Sequence, residues 1–191
     1  MMPVHIRACL SHYGVVRAHT TMWYWLQTAA SKLTPWHGSL PETIVVDETR
    51  VQVGSRACWI YTAIDPYSQR IIYVKPYWYR SGGNTRQFFQ ELAQIYGQWP
   101  KEVITDGGLW YAVELAELGQ IKQWRVVRGK ERDTIEGWFG EFLKRRAKDF
   151  DRYFPNPSPS RSWELRRVKN WLWVYCWWYN WRLQGDLLML N

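Results

Sequence analysis

The sequence contains few cysteines and histidines, and their spacing argues against two common kinds of site. The three cysteines, Cys9, Cys58 and Cys176, are far apart and form no Cys-x-x-Cys pair. The four histidines have no metal-ligand spacing with the cysteines. We therefore expect neither a disulfide framework nor a zinc site, and this cysteine usage is typical of an intracellular protein.

Long hydrophobic runs are also absent. The amino-terminal residues include His5 and Arg7 and contain no continuous apolar block, so we expect no signal peptide. The longest aromatic stretch, residues 171–181, is shorter than the roughly 20 apolar residues of a membrane span. We expect no membrane partner and interpret this stretch as part of a soluble amphipathic helix.

Positive charge is in excess. The formal net charge is +8 and the isoelectric point is near 9.5, which favours a polyanionic partner. Nucleic acid is the first candidate, and an acidic surface is the other. The length of 191 residues suits one core domain and a small appendage.

Three carboxylates stand out because each lies in a differently patterned segment. Asp47 follows the β-branched residues 43–46, and Asp106 follows a similar stretch, residues 102–105. Glu136 lies in a later segment with helical periodicity. Each acid alone has an ordinary explanation, as a turn residue or a first-turn helix residue. Together they predict a shared site at the end of a sheet.

Carboxylates held close together repel one another, and a divalent cation between them relieves the repulsion. Mg²⁺ prefers hard oxygen ligands and leaves room for water and phosphate oxygens. In paired-metal sites the two ions lie about 3.5 to 4 Å apart and stabilise both oxygens of an in-line displacement. The three acids therefore suggest a two-metal site for phosphoryl transfer.

The hydrophobic patterns predict an α/β core. The turn signal at residues 65–68 favours an antiparallel meander of the first three strands. We predict strands at 43–47, 57–64, 70–77, 102–106 and 124–127, and helices at 85–97, 112–118 and 133–148. This order is that of the ribonuclease H-like fold, a mixed five-stranded sheet flanked by helices.

The chain is predicted to contain four regions. They are a helix-turn-helix-like DNA-binding segment at 1–33, a linker at 34–42, the catalytic core at 43–155 and a Trp-rich carboxy-terminal helix at 156–191. For the first region, the pattern equally supports a helical hairpin that packs Trp23 and Trp25 on the core. We expect the last region to pack on the core or on a partner subunit.

Several motifs resemble the integrase-core transposases of insertion sequences, which carry an Asp, Asp, Glu triad. They are Asp47-Glu48-Thr49, Thr105-Asp106-Gly107-Gly108 and the segment 133–146. The resemblance covers most of the chain and is closest to a subgroup of archaea and bacteria. It implies metal-dependent hydrolysis of a DNA strand at the element's end, followed by attack of the freed 3′-hydroxyl on target DNA.

The resemblance also implies the ligands and partners. Asp47 and Asp106 would hold two Mg²⁺ ions jointly, with Glu136 completing the second site and Mn²⁺ as a substitute. The partners would be the element's terminal repeats and target DNA, bound by a homodimer or higher oligomer. The expected location is the prokaryotic cytoplasm, at the nucleoid when the protein is bound to DNA.

Basic residues bracket the predicted Glu136 helix, and we expect them to contact DNA phosphates. They are Arg128, Lys130, Arg132, Lys144, Arg145, Arg146 and Lys148. The alternative is an ordinary solvated helix face. Glu131 and Glu141 compete with Glu136 for the third acidic position, but Glu131 lies in a charged loop and Glu141 is about 140° round the helix.

Two further functions stay open at this level. The amino-terminal region looks one helix short of a complete helix-turn-helix domain, which would fit a truncated, catalytically inactive DNA-binding remnant. A cellular nuclease that shares the fold would cut nucleic acid without joining ends. The three possibilities differ in the products that each would form.

Overall fold

The computed structural model describes residues 11–12, 14–33, 38–53, 56–127 and 161–188. The chain divides into two compact units. One unit comprises residues 38–165, and the other combines residues 1–37 with residues 166–191.

The larger unit contains a five-stranded sheet in the order β3-β2-β1-β4-β5. The strands are β1 (Thr43–Val53), β2 (Arg56–Ile64), β3 (Ile71–Tyr77), β4 (Glu102–Thr105) and β5 (Trp124–Val126). Strands β1, β2 and β3 are antiparallel neighbours, while β4 runs parallel to both β1 and β5. This mixed order is that of the ribonuclease H-like fold, so the predicted fold class is confirmed.

The turn between β2 and β3 forms where the sequence predicts it. The Asp65 carboxylate accepts hydrogen bonds from the backbone nitrogen of Tyr67, at 2.9 Å, and from the hydroxyl of Ser68, at 2.6 Å. These bonds close the chain on itself as an Asx turn. Asp65 is therefore a turn residue, as the sequence indicates.

Strand β1 is longer than predicted. The sequence suggests that it ends at Asp47, whereas it continues to Val53. Antiparallel pairing with β2 runs on to the pair Val53 and Arg56 and carries the strand past the acid. In this second half, Thr49, Val51 and Val53 are buried, while the residues between them are exposed. The prediction missed this alternation, which is typical of a half-buried strand.

Two helices cover one face of the sheet. Helix α2 (Gly82–Tyr96) begins three residues before the predicted helix because Ser81 caps it, accepting a hydrogen bond from the Asn84 nitrogen at 3.2 Å. Phe88 of α2 is fully buried between Tyr61 and Tyr73, with ring centroids 5.7 and 5.0 Å away. Helix α3 (Leu109–Glu117) follows β4, and a short 3-10 turn (Ile121–Gln123) leads into β5.

The smaller unit contains helix α1 (His19–Ala30) and, from residue 166 onwards, helix α4 (Arg161–Leu188). The Gln27 side chain joins them: it donates to the carbonyl of Arg167 at 3.3 Å and accepts from the Asn170 amide at 3.1 Å. The part of the predicted helix-turn-helix-like segment that precedes α1 falls mostly outside the described residues. The helix-turn-helix and the packing of the Trp-rich helix on the core or a partner therefore stay predictions.

In the described part of the chain, no helix combines the length and hydropathy needed to cross a membrane. Helix α4 is long enough, but charged residues interrupt its apolar side chains. Two of the cysteines, Cys58 and Cys176, are described, and both are free and buried.

Candidate active site

Asp47 lies within β1 at the centre of the sheet. It faces Thr62 across the antiparallel ladder, and its side chain is half-buried. Its Oδ1 accepts a hydrogen bond from the backbone nitrogen of Glu48 at 2.8 Å. The Thr62 hydroxyl is buried and has no hydrogen-bond partner among the described residues. A polar group in that position is suited to bind a water or a ligand beside the carboxylate.

Asp106 lies immediately after β4 and is exposed. Its Oδ1 accepts a hydrogen bond from the backbone nitrogen of Gly108 at 3.0 Å. Gly107 has a φ of +88°, and a Cβ at this position would lie 2.9 Å from Cγ1 of Val126 on β5. The chain can therefore turn here, close to β5, only because residue 107 has no side chain.

The parallel pairing of β1 and β4 places the two aspartates level with each other. Val45 pairs with Ile104, and two further residues along each strand lead to Asp47 and Asp106. Neighbouring strands lie about 4.8 Å apart. The structure thus brings together two of the three acids that the sequence singles out.

The remaining predicted site residues cannot be placed. Glu136 and the seven basic residues, Arg128, Lys130, Arg132, Lys144, Arg145, Arg146 and Lys148, lie outside the described residues. Among the residues that the structure describes, no group of three His, Cys, Asp or Glu side chains could hold a metal ion.

A buried carboxylate, Glu48, is the main feature that the sequence analysis missed. Its side chain is only 2% exposed, and its Oε1 forms an ion pair with Nε of Arg80 at 2.7 Å. Its Oε2 accepts a hydrogen bond from the hydroxyl of Tyr111. The pKa of Glu48 is raised to about 7: burial is the largest cause, the Tyr111 hydrogen bond and the Arg80 charge lower it, and the charges of Asp47 and Asp106 make smaller raising contributions.

The partners of Glu48 are themselves held in place. Tyr111 is fully buried, its ring stands edge-on to Phe89 at 6.3 Å, and burial, followed by the Glu48 charge, raises its pKa well above the usual range. The guanidinium of Arg80 lies 3.6 Å from the ring centroid of Trp110. Stacking of this kind favours a fixed guanidinium orientation.

Strand periodicity gives part of the signal for Glu48. Side chains alternate between the two faces of a strand, so Glu48 shares a face with the fully buried Ile44 and Val46 and with the exposed Arg50 and Gln52. Glu48 lies where the buried row ends, and an acid that is buried there needs partners. The partners themselves, Arg80 and Tyr111, could not be identified from their sequence positions.

The geometry defines a ribonuclease H-like core with two aspartates at the centre of its sheet. The family model of the DDE domain, a transposase domain, matches residues 42–151, which is more than half of the chain. The chain therefore belongs to the DDE-domain family of transposases. No curated protein matches it significantly.

Solved structures of integrases and transposases are similar to the chain at low identity. The HTLV-2 integrase catalytic core domain in complex with magnesium is 16% identical, with a TM-score of 0.46, and the match covers 71% of this chain and 86% of that one. The simian T-cell lymphotropic virus intasome is also 16% identical, with a TM-score of 0.47, over 86% of this chain and 63% of that one. The Mos1 transposase catalytic domain with Mn is 9% identical, with a TM-score of 0.33, over 84% and 91%.

Proposed function

We propose that the protein is a transposase that catalyses metal-dependent cleavage and strand transfer of the DNA of an insertion sequence. The observation that carries this proposal is the level placement of Asp47 and Asp106 on neighbouring parallel strands, inside the region matched by the DDE-domain family. Within these transposases, we propose that it is most similar to the subgroup found in archaea and bacteria.

The residues present fit a divalent metal ion. Asp47 and Asp106 offer hard oxygen ligands, and both of their charges raise the pKa of the nearby Glu48 carboxyl. The site therefore has an excess of negative charge that a cation would neutralise. Asp47 and Asp106 would hold two Mg²⁺ ions, or Mn²⁺ in their place, with Glu136 as the third acidic ligand. The ions would supply charge stabilisation at the attacking and leaving oxygens.

In such a reaction the protein's own residues position the reacting groups and hold the metal ligands in a fixed geometry. The turn at Gly107 and the Asx hydrogen bond to Gly108 fix the Asp106 carboxylate. The antiparallel ladder with β2 fixes Asp47 in the middle of a strand. Ligands on rigid elements keep the spacing that in-line displacement needs.

DNA binding is proposed for the positively charged regions of the chain. The formal net charge of +8 favours association with the phosphate backbone, and this attraction weakens as salt rises. Contacts from the seven basic residues around Glu136 would add to it. A transposase must bring two DNA ends together, so we propose a homodimer or higher oligomer that acts in the prokaryotic cytoplasm, at the nucleoid when bound to DNA.

A strand-transfer assay tests this proposal. The full chain is incubated with Mg²⁺ or Mn²⁺ and DNA duplexes made from the inverted repeats that flank its gene. We expect nicked and joined products, and at least about 100-fold less of both for Asp47→Asn and Asp106→Asn. Asp65→Asn is the matched control, because Asp65 belongs to the β2–β3 turn and should retain activity.

The products separate the alternatives. Cleavage without joining would indicate a nuclease instead of a transposase. DNA retention that is unchanged by Asp106→Asn, with no strand chemistry in either protein, would indicate an inactive DNA-binding remnant. Equal activity of the Asp47→Asn, Asp106→Asn and Asp65→Asn variants would refute the proposed roles of the two aspartates.

A further inference from the structure

The ladder between β1 and β4 is short. Its pairs run from Thr43 with Glu102 to Val45 with Ile104, so Asp47 and Asp106 both lie two residues beyond the last pair. On its other side, the segment before Asp106 is joined to the end of β5, since the Val127 nitrogen donates a hydrogen bond to the Thr105 carbonyl at 2.9 Å. On the β1 side, beyond the ladder, a side chain makes the connection.

That connection passes through Glu48. Its carboxylate accepts a hydrogen bond from the hydroxyl of Tyr111, in the first turn of α3, the helix that begins three residues after Asp106. It also forms an ion pair with Arg80, which lies between β3 and α2. One carboxylate thus ties the strand that carries Asp47 to the segment that carries Asp106, and both to the turn before α2.

We propose that Glu48 is a positioning residue, which fixes the placement of Asp47 relative to Asp106 through its hydrogen bond with Tyr111 and its ion pair with Arg80. This inference rests on the proposed function, since it assumes that the two aspartates share metal ions. Glu48 lies on the opposite face of the strand from Asp47 and acts through the backbone and α3, without contacting the ions.

Stability alone does not account for a carboxylate at this position. The neighbours of Glu48 on the same strand face, Ile44 and Val46, are apolar and fully buried. Replacing a buried ion pair by well-packed apolar residues is often neutral or stabilising. A carboxylate that binds side chains from two separate segments is instead suited to hold those segments at a fixed spacing, as outer-shell partners do around metal ligands.

The cleanest perturbation is Tyr111→Phe, because it removes the hydrogen bond and leaves every carboxylate near the aspartates in place. Tyr61→Phe is the matched control. Tyr61 is also fully buried, and its backbone pairs with that of Glu48, but its hydroxyl lies 3.2 Å from that of Thr85, so this bond joins β2 to α2 and does not involve the Glu48 carboxylate. Both variants lose one buried hydroxyl and keep the ring.

The measurements use the full chain. Mn²⁺ binding is followed by electron paramagnetic resonance without DNA, and strand transfer is followed at saturating and limiting DNA. For Tyr111→Phe we expect Mn²⁺ affinity to fall on the order of 5- to 10-fold and kcat to fall with it, while KM for DNA stays within about twofold. For Tyr61→Phe both quantities should stay within about twofold of the wild type.

A second pair of variants covers the case in which Tyr111→Phe does not fold. Arg80→Lys keeps the charge but loses the planar donor that contacts Glu48, and we expect the same direction of change. Its control is Arg86→Lys, since Arg86 pairs with Glu114 between α2 and α3 at 2.7 Å and has a similar exposure. This control should leave Mn²⁺ affinity unchanged.

The outcomes distinguish this inference from the proposed function. If the wild type binds Mn²⁺ and joins DNA but Tyr111→Phe and Arg80→Lys behave like their controls, Glu48 is not a positioning residue and the proposed function stands. If the wild type binds no Mn²⁺, the proposed function fails, and this inference is overturned with it.

Discussion

The glycine after Asp106 allows a sharp test of how the site is built. Gly107 combines a φ of +88° with a close approach to Val126, whose Cγ1 would lie 2.9 Å from an added Cβ. Gly97, at the end of α2, also has a positive φ, of +67°, but an added Cβ there meets no atom within 4 Å. The two glycines therefore separate backbone strain from steric contact.

The expected magnitudes follow from these two contributions. A left-handed backbone costs a residue with a Cβ about 1–2 kcal/mol, which is the full effect expected for Gly97→Ala. Gly107→Ala adds an overpacking cost of about 1–3 kcal/mol, because the β-branched Val126 cannot rotate away freely. We therefore expect Gly107→Ala to lower the free energy of unfolding by about 2–5 kcal/mol.

The assay is urea unfolding of four proteins beside the wild type: Gly97→Ala, Gly107→Ala, Val126→Ala and the double variant Gly107→Ala/Val126→Ala. Removing the Val126 methyl groups should relieve the contact but not the backbone strain. The double-mutant cycle should therefore show a favourable coupling of about 1 kcal/mol or more. Equal costs for Gly97→Ala and Gly107→Ala, together with zero coupling, would refute the view that the β4–β5 approach constrains the Asp106 turn.

Two further predictions concern the same part of the sheet. In metal-free buffer with EDTA, the raised pKa of Glu48 means that the folded protein favours the protonated carboxyl. The protonated Glu48 carboxyl therefore contributes fully to stability below pH 4.5, its pKa in the unfolded chain, and this contribution is lost as the pH rises to about 7. The unfolding free energy of the wild type relative to Glu48→Gln should thus fall by about 3 kcal/mol across this range, and a flat difference would contradict the shift. Trp124→Phe removes the hydrogen bond from the indole Nε1 to the Thr105 hydroxyl, 2.9 Å long, and should destabilise the protein by about 1 kcal/mol in urea unfolding, whereas no loss would show that the bond is dispensable.

The sequence predicts the sheet well where strands consist of β-branched runs. Such runs precede both aspartates, and the parallel pairing of β1 and β4 then brings Asp47 and Asp106 level, as the sequence suggests. The predicted end of β1 was wrong because residues 47–50 look polar. Only pairing with β2, the next strand along the chain, extends β1 through these residues.

The surroundings of Glu48 could not be predicted for a different reason. Strand alternation places Glu48 beside the buried Val46 on one face of β1, but its partners come from distant segments, and Tyr111 is 63 residues away along the chain. No local pattern encodes such a pairing, since it depends on where β3 ends and where α3 begins. Side-chain partners across elements are set by packing and topology, which only the folded chain shows.

The smaller unit has a consequence for the order in which the protein forms during synthesis. It is built from segments on either side of the sheet in the sequence, and Gln27 of α1 finds its hydrogen-bond partners on α4. A 12-residue helix is marginal by itself in water. Because α4 follows the sheet in the sequence, α1 is synthesised before the sheet but gains these partners only after the strands between the two helices have been made.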